Sequence, residues 1–156
     1  MKKLKISIFI IFLFMTISFV DVSAKEKVKV YIFEAGGCSY CKLEEDYLKG
    51  LDSYNKKFEI VNKELYIDHI DWQKGKDYEL GVKVANGFSD ASYQWTPFVV
   101  IGDLYAASSY STTLEDVINE AYENDSKDIV NCYEKDNTNC LDHLKEKNIE
   151  KNSWFK

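Results

Sequence analysis

The sequence contains no arginine, a single proline and two histidines among its 156 residues. All 20 basic residues are therefore lysine, and 26 acidic residues outnumber them. Proteins that bind nucleic acid rely on clustered cations at the phosphates, so an acidic chain without arginine is a poor candidate for that function. His69 and His143 lack neighbouring residues of the kind that bind metals, and we interpret them as surface or capping residues. We therefore expect no nucleic-acid partner and no metal site.

The N-terminal 24 residues have the features of an export signal. Three lysines precede an apolar run from Ile6 to Val20, and Val22-Ser23-Ala24 offers the small residues that signal peptidase accepts. We predict cleavage after Ala24 and a secreted or extracytoplasmic protein of the cell envelope. The run of about 15 residues is short for a membrane span of ~20 residues. An uncleaved signal anchor is the alternative, and it is the one way in which we expect contact with a membrane.

Residues 25–156 are long enough for one domain with its own core. The leader holds three of the 20 basic and one of the 26 acidic residues, which leaves 17 basic and 25 acidic residues and a net charge of −8. We interpret this charge as a source of solubility. We predict a main domain over residues 25–124 and a helical tail over residues 125–156.

Hydrophobic patterning predicts elements in the order β-α-β-α-β-β-α. The expected strands are Val28–Phe33, Phe58–Leu65, Pro97–Ile101 and Leu104–Ser108. The expected helices run from Ser39 to about Leu51, within Trp72–Val84, from a capped start at Thr112-Thr113-Leu114-Glu115, and in the tail from Cys140 to about Lys147. In the first helix we expect an apolar stripe to face the core, formed by Leu43, Tyr47, Leu48 and Leu51. We expect four charged residues to face solvent, namely Glu44, Glu45, Asp46 and Lys49.

Cys38 and Cys41 lie where the first predicted helix follows the first predicted strand. The first cysteine of such a pair faces the unsatisfied N–H groups and the positive end of the helix dipole, which favours its thiolate. The second lies about one turn further on, within reach of a disulfide. We therefore assign Cys38 as the nucleophile and Cys41 as the resolving thiol, while Gly36 and Gly37 leave room for a substrate backbone. Half of a zinc site and a purely structural disulfide are the alternatives for this pair.

The second candidate feature is Trp95-Thr96-Pro97-Phe98, with the single proline at the start of the third predicted strand. Roughly residues 28–124 resemble the thioredoxin superfamily, and in particular its secreted bacterial thiol–disulfide oxidoreductases. The motifs that carry the resemblance are Phe33, Cys38-Ser39-Tyr40-Cys41, and Thr96-Pro97-Phe98-Val99-Val100 followed by Gly102-Asp103. The resemblance implies an α/β thioredoxin-like fold, with a central mixed sheet and helices on both faces, to which the C-terminal helical extension is an addition.

The resemblance also implies how a substrate binds. It implies a cis Thr96–Pro97 peptide bond that lies against the dithiol, although an ordinary strand-opening proline is the alternative. Because Pro97 has no N–H, the backbone of Thr96 is left free to pair with an extended substrate. Tyr40, Tyr93 and Trp95 are candidate apolar contacts, with buried packing as the alternative for such aromatic residues. The implied partners are protein thiols or disulfides and a partner redox protein, and no cofactor is implied.

The sequence departs from the family pattern in three ways. Ser39-Tyr40 matches neither the Gly-Pro of reducing thioredoxins nor the Pro-His of strongly oxidising relatives. Tyr40 resembles the residue at the corresponding position of glutaredoxins. The buried acid of the family's first strand corresponds to Ile32 here, and Glu34 is the nearest acid. The long spacing between the dithiol and the proline implies an insertion around Trp72–Tyr93. Oxidase, reductase and isomerase activities are all compatible with these residues.

The second cysteine pair, Cys132 and Cys140, flanks a polar turn. An even number of cysteines in an exported protein permits disulfides, and a bridge here would staple the tail. We predict a structural disulfide, with a second redox pair or free thiols as alternatives. The leading functional hypothesis is an exported enzyme that exchanges disulfides with protein substrates. The alternative is a thioredoxin-fold binding or accessory module, in metal delivery or peptide export, whose dithiol binds without redox turnover.

Overall fold

The β-branched and aromatic runs of the sequence form one mixed sheet in the computed structural model, which describes residues 25–88, 95–135 and 140. The strands are β1 (Val28–Ala35), β2 (Phe58–Tyr66), β3 (Phe98–Ile101) and β4 (Tyr105–Ser108). The helices are α1 (Ser39–Gly50), α2 (Tyr78–Gly87), α3 (Leu114–Glu123) and α4 (Ile129–Glu134). The prediction of an α/β fold is confirmed at this level. None of the described helices is long and apolar enough to cross a membrane.

The four strands lie in the order β2-β1-β3-β4. β1 pairs in parallel with β2 and antiparallel with β3, and β4 is antiparallel to β3. All four residues of β3 are buried, and so are four consecutive residues of β1, from Val30 to Phe33. Near-continuous burial of this kind indicates strands that are covered on both faces.

Alternate residues of β1 enter two separate cores, because successive side chains of a strand point to opposite faces. Tyr31 and Phe33 belong to a first core that includes residues of α2 and α4. Val30 and Ile32 belong to a second core that includes residues of α1 and α3. Helices therefore cover both faces of the sheet.

The face of α1 that packs against the sheet differs from the predicted one. Its buried residues are Cys41, Glu44 and Leu48, at spacings of three and four along the helix. Leu43, expected in the apolar stripe, is 49% exposed, whereas Glu44, expected in solvent, is fully buried. The expectation for Glu44 was wrong because it followed from the charge of the residue. The position of Glu44 on the helix places it on the same face as Cys41 and Leu48, which are buried.

Helix α4 is an element that the sequence analysis missed. Asp128 caps it, since its carboxylate accepts a hydrogen bond from the N–H of Asn131 at 3.0 Å. Ile129 and Val130 follow at once and are buried in the first core. The helix predicted from Cys140 to Lys147 lies, apart from Cys140 itself, outside the described residues. The boundary predicted between the main domain and the helical tail, at residues 124 and 125, stays a prediction.

Two other helix starts differ in detail from the expectation. Helix α2 begins at Tyr78, six residues after the start of the predicted interval. Helix α3 begins at Leu114, as expected, but the side chain of Thr113 makes no capping hydrogen bond. Its hydroxyl instead lies 3.1 Å from that of Ser111 in the loop that precedes the helix.

Candidate active site

A disulfide joins Cys38 and Cys41 at the N-terminus of α1. The chain leaves β1, makes a short turn and enters α1 with Cys38 as the N-cap residue, so the sulfur takes the place of a capping oxygen. The N–H of Cys41 donates to the Cys38 sulfur at 3.1 Å. After reduction the same donor and the helix dipole would stabilise a thiolate on Cys38 more than a neutral thiol. Cys41 is only 2% exposed, whereas Cys38 is partly exposed, so Cys38 is the cysteine that solvent reaches.

The start of β3 lies directly against this disulfide. The Thr96–Pro97 peptide bond is cis. The hydroxyl of Thr96 donates to the Cys38 sulfur at 3.4 Å, although 58 residues separate the two in sequence. Pro97 is buried, whereas Trp95 is 62% exposed. The structure therefore brings Cys38, Cys41, Thr96 and Pro97 together.

Aromatic residues extend from this point along one side of the site. The rings of Trp95 and Trp72 meet edge to face, with centroids 5.9 Å apart. Trp72 in turn meets Tyr66 at 5.1 Å. Tyr40, inside the dithiol motif, is 61% exposed. Tyr93 lies outside the described residues, and Trp72 is a neighbour that the sequence analysis did not assign to the site.

The turn before Cys38 packs closely against the segment that follows β2. Gly37 has a φ of +74°, and a Cβ at this position would lie 2.8 Å from Nδ1 of His69. A Cβ on Gly36 would clash with the carbonyl oxygen of Ile67. The N–H of His69 donates to the carbonyl of Gly36 at 3.1 Å. His69 is exposed, as expected, but it also supports the turn that carries the dithiol, a role for which its sequence neighbours offered no signal.

A groove of about 660 Å³ opens beside Cys38. Glu34 lies in it together with Glu45 and Glu64. Burial, and then repulsion from these two carboxylates, raises the pKa of Glu34. Glu45 is partly neutralised by Lys49 at 2.7 Å, which helps to lower the pKa of Glu45.

Glu44 is the buried acid that lies closest in sequence to the dithiol. One carboxylate oxygen, Oε2, accepts a hydrogen bond from the N–H of Ser111 at 2.8 Å. Among the described residues, none donates a hydrogen bond to the other oxygen, Oε1. Burial raises the pKa of Glu44, and the Ser111 N–H offsets part of that rise. The spacing of Cys41, Glu44 and Leu48 was the signal that could have revealed this residue.

Cys132 and Cys140 form a second disulfide, which packs against the first core. Cys140 is 1% exposed. All four cysteines are thus disulfide-bonded. Within the part of the chain that the structure describes, no group of three His, Cys, Asp or Glu residues is placed to hold a metal ion.

Comparison with known proteins returned no match of any kind. No protein-family model fits the chain, and neither a curated protein nor a solved structure is similar enough to count as a match. Function is therefore inferred from the geometry of the dithiol and its neighbours.

Proposed function

We propose that this protein is an extracytoplasmic thiol–disulfide oxidoreductase with a thioredoxin-like fold. The observation that carries the proposal is the Cys38–Cys41 disulfide at a helix N-terminus, with the hydroxyl of Thr96 3.4 Å from the Cys38 sulfur. The strand order β2-β1-β3-β4 and the cis bond before Pro97 support the fold assignment, because the thioredoxin fold combines both features. A disulfide that only stabilised the fold would need neither an exposed groove nor a polar neighbour at its sulfur.

Exchange begins with the reduced dithiol. The Cys38 thiolate attacks one sulfur of a substrate disulfide, a new sulfur–sulfur bond forms, and the other substrate sulfur leaves as a thiolate. Cys41 then attacks the Cys38 sulfur, which releases the second substrate thiolate and regenerates the Cys38–Cys41 disulfide. Two electrons pass from the dithiol to the substrate, and the reverse sequence oxidises a substrate dithiol. A partner redox protein resets the dithiol in either direction.

The surroundings of Cys38 suit an extended protein substrate. Thr96 precedes β3, and its backbone is available to pair with a peptide at the point where the sheet ends. Trp95, which precedes Thr96, and Tyr40, inside the dithiol motif, are exposed aromatic side chains that would contact apolar residues of the substrate. The groove beside Cys38 leaves the sulfur open to attack.

The proposed location follows from the cysteine chemistry and the leader. Disulfides persist in oxidising compartments, and both cysteine pairs of this chain are oxidised. The export signal predicted over residues 1–24 would deliver the domain to such a compartment. Secretion or retention in the cell envelope is therefore part of the proposal.

An insulin-reduction assay with dithiothreitol as electron donor tests the proposal. The wild type should accelerate precipitation of the insulin B chain, and Cys38→Ala should abolish the acceleration because no nucleophile remains. The variant Cys132→Ala/Cys140→Ala is the matched control, since it also removes two sulfurs but leaves the dithiol intact. Its activity should equal that of the wild type. An inactive wild type that binds copper or zinc tightly would contradict the proposal and favour a binding module.

A further inference from the structure

The loop between β2 and α2, residues 67–77, contacts the chain on both sides of the dithiol site. The N–H of His69 donates to the carbonyl of Gly36, two residues before the first cysteine, at 3.1 Å. Three residues further along the loop, the ring of Trp72 meets that of Trp95, which directly precedes the Thr-Pro pair, with centroids 5.9 Å apart. The part of the loop between these two contacts is therefore held beside the dithiol.

This β2–α2 loop exposes apolar side chains in a cluster. Of the seven large apolar side chains that the described residues expose, three lie on the loop, namely Ile67, Ile70 and Trp72, and Trp95 packs against it. Ile70 is the most exposed of the seven, at 72%. Adjacent apolar side chains on a protein surface mark a site of contact with another molecule.

The shape of the β2–α2 loop is fixed before any ligand binds. The N–H of Ile67 donates to the carbonyl of Gln73 at 2.8 Å, and the N–H of Trp72 donates to the carbonyl of Asp68 at 3.2 Å. Trp72 has a φ of +53°, which is a strained conformation for a bulky residue and one that is found mainly at functional sites. A loop that is already ordered loses little entropy when it binds a ligand.

The groove beside Cys38 borders this loop at Ile67 and is acidic. Four carboxylates and two lysines line it, which leaves a net charge of −2. Glu34 on β1 and Glu64 on β2 are partners in the strand register, and like charges that lie opposite each other destabilise a sheet. A cation of a ligand would relieve this repulsion, so the charge of the groove is complementary to a basic residue.

We propose that the dithiol acts on extended polypeptides that place apolar side chains on the β2–α2 loop and a basic side chain in the acidic groove. This inference rests on the proposed function of the dithiol. Ile67 and Ile70 supply apolar contacts, and Glu64 attracts the cation. The charges raise the rate of encounter, and the apolar contacts prolong the complex. Glutathione, which is anionic at neutral pH and has no apolar side chain, is disfavoured by both features.

Mixed disulfides with nitrothiobenzoate test this selection, because every probe then has the same coloured leaving group. The thiolate of Cys38 bonds to the probe sulfur, the disulfide of the probe breaks, and nitrothiobenzoate leaves with the electron pair. Cys41 then displaces the probe thiolate from Cys38, as in the proposed exchange. One probe is a short peptide with leucine on one side of its cysteine and lysine on the other, made in both orders. A peptide with serine and glutamate in their place, glutathione and the neutral mercaptoethanol complete the set.

Stopped flow at low ionic strength gives the rate of each probe with reduced wild-type protein, divided by its rate with dithiothreitol. We expect the leucine–lysine peptide to react about 10-fold faster than glutathione or the serine–glutamate peptide, with mercaptoethanol between them. The electrostatic part of this preference should disappear at high salt. Equal normalised rates, or a preference for glutathione, would overturn the proposal. This measurement needs no variant.

Glu64→Gln tests the groove, and the amide keeps an oxygen for the N–H of Lys76. The rate of the lysine peptide relative to mercaptoethanol should fall about 3-fold, the effect of a unit charge about 7 Å away in water. The rate of glutathione relative to mercaptoethanol should rise. Glu120→Gln is the matched control, because it removes the same charge from an exposed position on α3 and should leave both ratios unchanged. Unchanged ratios in Glu64→Gln would contradict the role of the groove.

Ile70→Ser tests the loop. The rate of the leucine–lysine peptide relative to mercaptoethanol should fall about 5-fold, as expected when one aliphatic side chain loses about half of its full burial. Leu43→Ser is the matched control, since Leu43 is exposed on α1 and does not line the groove. An unchanged ratio in Ile70→Ser would overturn the proposal. So would a wild-type dimer that Ile70→Ser converts to a monomer, because a second copy would then cover the loop.

Failure of this inference and failure of the proposed function are distinguishable. Insulin reduction by the wild type tests the exchange itself. A wild type that reduces insulin but reacts with all probes at equal normalised rates would retain the proposed function and lose only the selection by the β2–α2 loop. A wild type that neither reduces insulin nor reacts with the probes would contradict both.

Discussion

At the scale of single residues, the turn before the dithiol depends on a glycine that no other residue can replace without strain. Gly37 has a φ of +74°, and a Cβ added to it would lie 2.8 Å from Nδ1 of His69. A side chain there meets both a disfavoured backbone conformation and a neighbour that is held by the carbonyl of Gly36. The position of Cys38 thus depends on two residues that carry no redox chemistry.

We predict that Gly37→Ala lowers the free energy of unfolding by about 1–2 kcal/mol, the usual cost of a left-handed conformation in a residue with a side chain. Urea denaturation followed by circular dichroism measures the change. Gly50→Ala is the control, because a Cβ at Gly50, inside α1, meets no atom within 4 Å. It should stabilise the protein by about 0.5–1 kcal/mol. Equal effects of the two substitutions would contradict the prediction.

The buried carboxyl of Glu44 should make stability depend on pH. Its pKa is raised by burial in the folded state, so the folded protein binds more protons than the unfolded chain and stability falls as the pH rises above the ordinary glutamate value of 4.5. The amide of Glu44→Gln does not titrate, so the variant does not lose stability in this way as the pH rises. The stability of the variant relative to the wild type should therefore increase as the pH rises above 4.5. Parallel curves in urea denaturation would show that Glu44 does not titrate in this way.

The residues of the site differ in how far the sequence alone could identify them. Cys38 and Cys41 were predicted from their residue type and spacing, whereas Thr96 and Pro97 were predicted from the resemblance of their motif to the thioredoxin superfamily. Glu44 was misplaced because a charged residue on a helix is usually solvated, and only its position between buried neighbours shows otherwise. The support from His69 arises from a contact across 33 residues, which no local pattern contains.

At the scale of elements, the strands and α1 were predictable within a few residues because each is a long or strongly patterned run. Helix α4 was not, since its six residues are too few for a periodic pattern to emerge. Its position is set by tertiary contacts. Asp128 caps it and accepts a hydrogen bond from the buried Tyr31 hydroxyl at 2.9 Å, and Lys29 lies 3.2 Å away.

Asp128→Ala should lower the free energy of unfolding by about 2–3 kcal/mol. The helix cap contributes about 1 kcal/mol, and the buried phenol of Tyr31 loses its acceptor at a further cost of about 1–2 kcal/mol. Asp128→Asn keeps an acceptor oxygen for the Asn131 N–H, places an amide NH2 where Oδ2 accepts from Tyr31, to which the rotatable Tyr31 hydroxyl can in turn act as acceptor, and removes the charge that faces Lys29. It should cost less than about 1 kcal/mol, as partly exposed ion pairs usually contribute little. Chemical denaturation of both variants distinguishes a cap from an ion pair, and equal losses would argue against the cap.

At the scale of the whole molecule, the two disulfides differ in their surroundings although both touch the first core. Cys38 opens onto a groove and receives hydrogen bonds from Thr96 and Cys41. Cys140 is almost completely buried, and its bond ties it to Cys132, which lies within α4 eight positions earlier in the chain. The surroundings of the first disulfide suit the exchange proposed for it, and those of the second suit a restraint on the chain.

Removal of the second disulfide should therefore change stability without changing redox activity. The bond closes a loop of about nine residues, for which the chain-entropy relation gives a stabilisation of about 2.5 kcal/mol. Cys132→Ala/Cys140→Ala should lose about that amount in urea denaturation under non-reducing conditions, with an unchanged rate of insulin reduction under conditions in which both proteins are folded. A loss of both stability and activity would mean that the Cys132–Cys140 disulfide also affects the geometry of the dithiol through the first core. A loss of activity alone would instead identify Cys132 and Cys140 as a second redox pair. The loss of a purely structural disulfide should not lower the rate of insulin reduction while the protein remains folded.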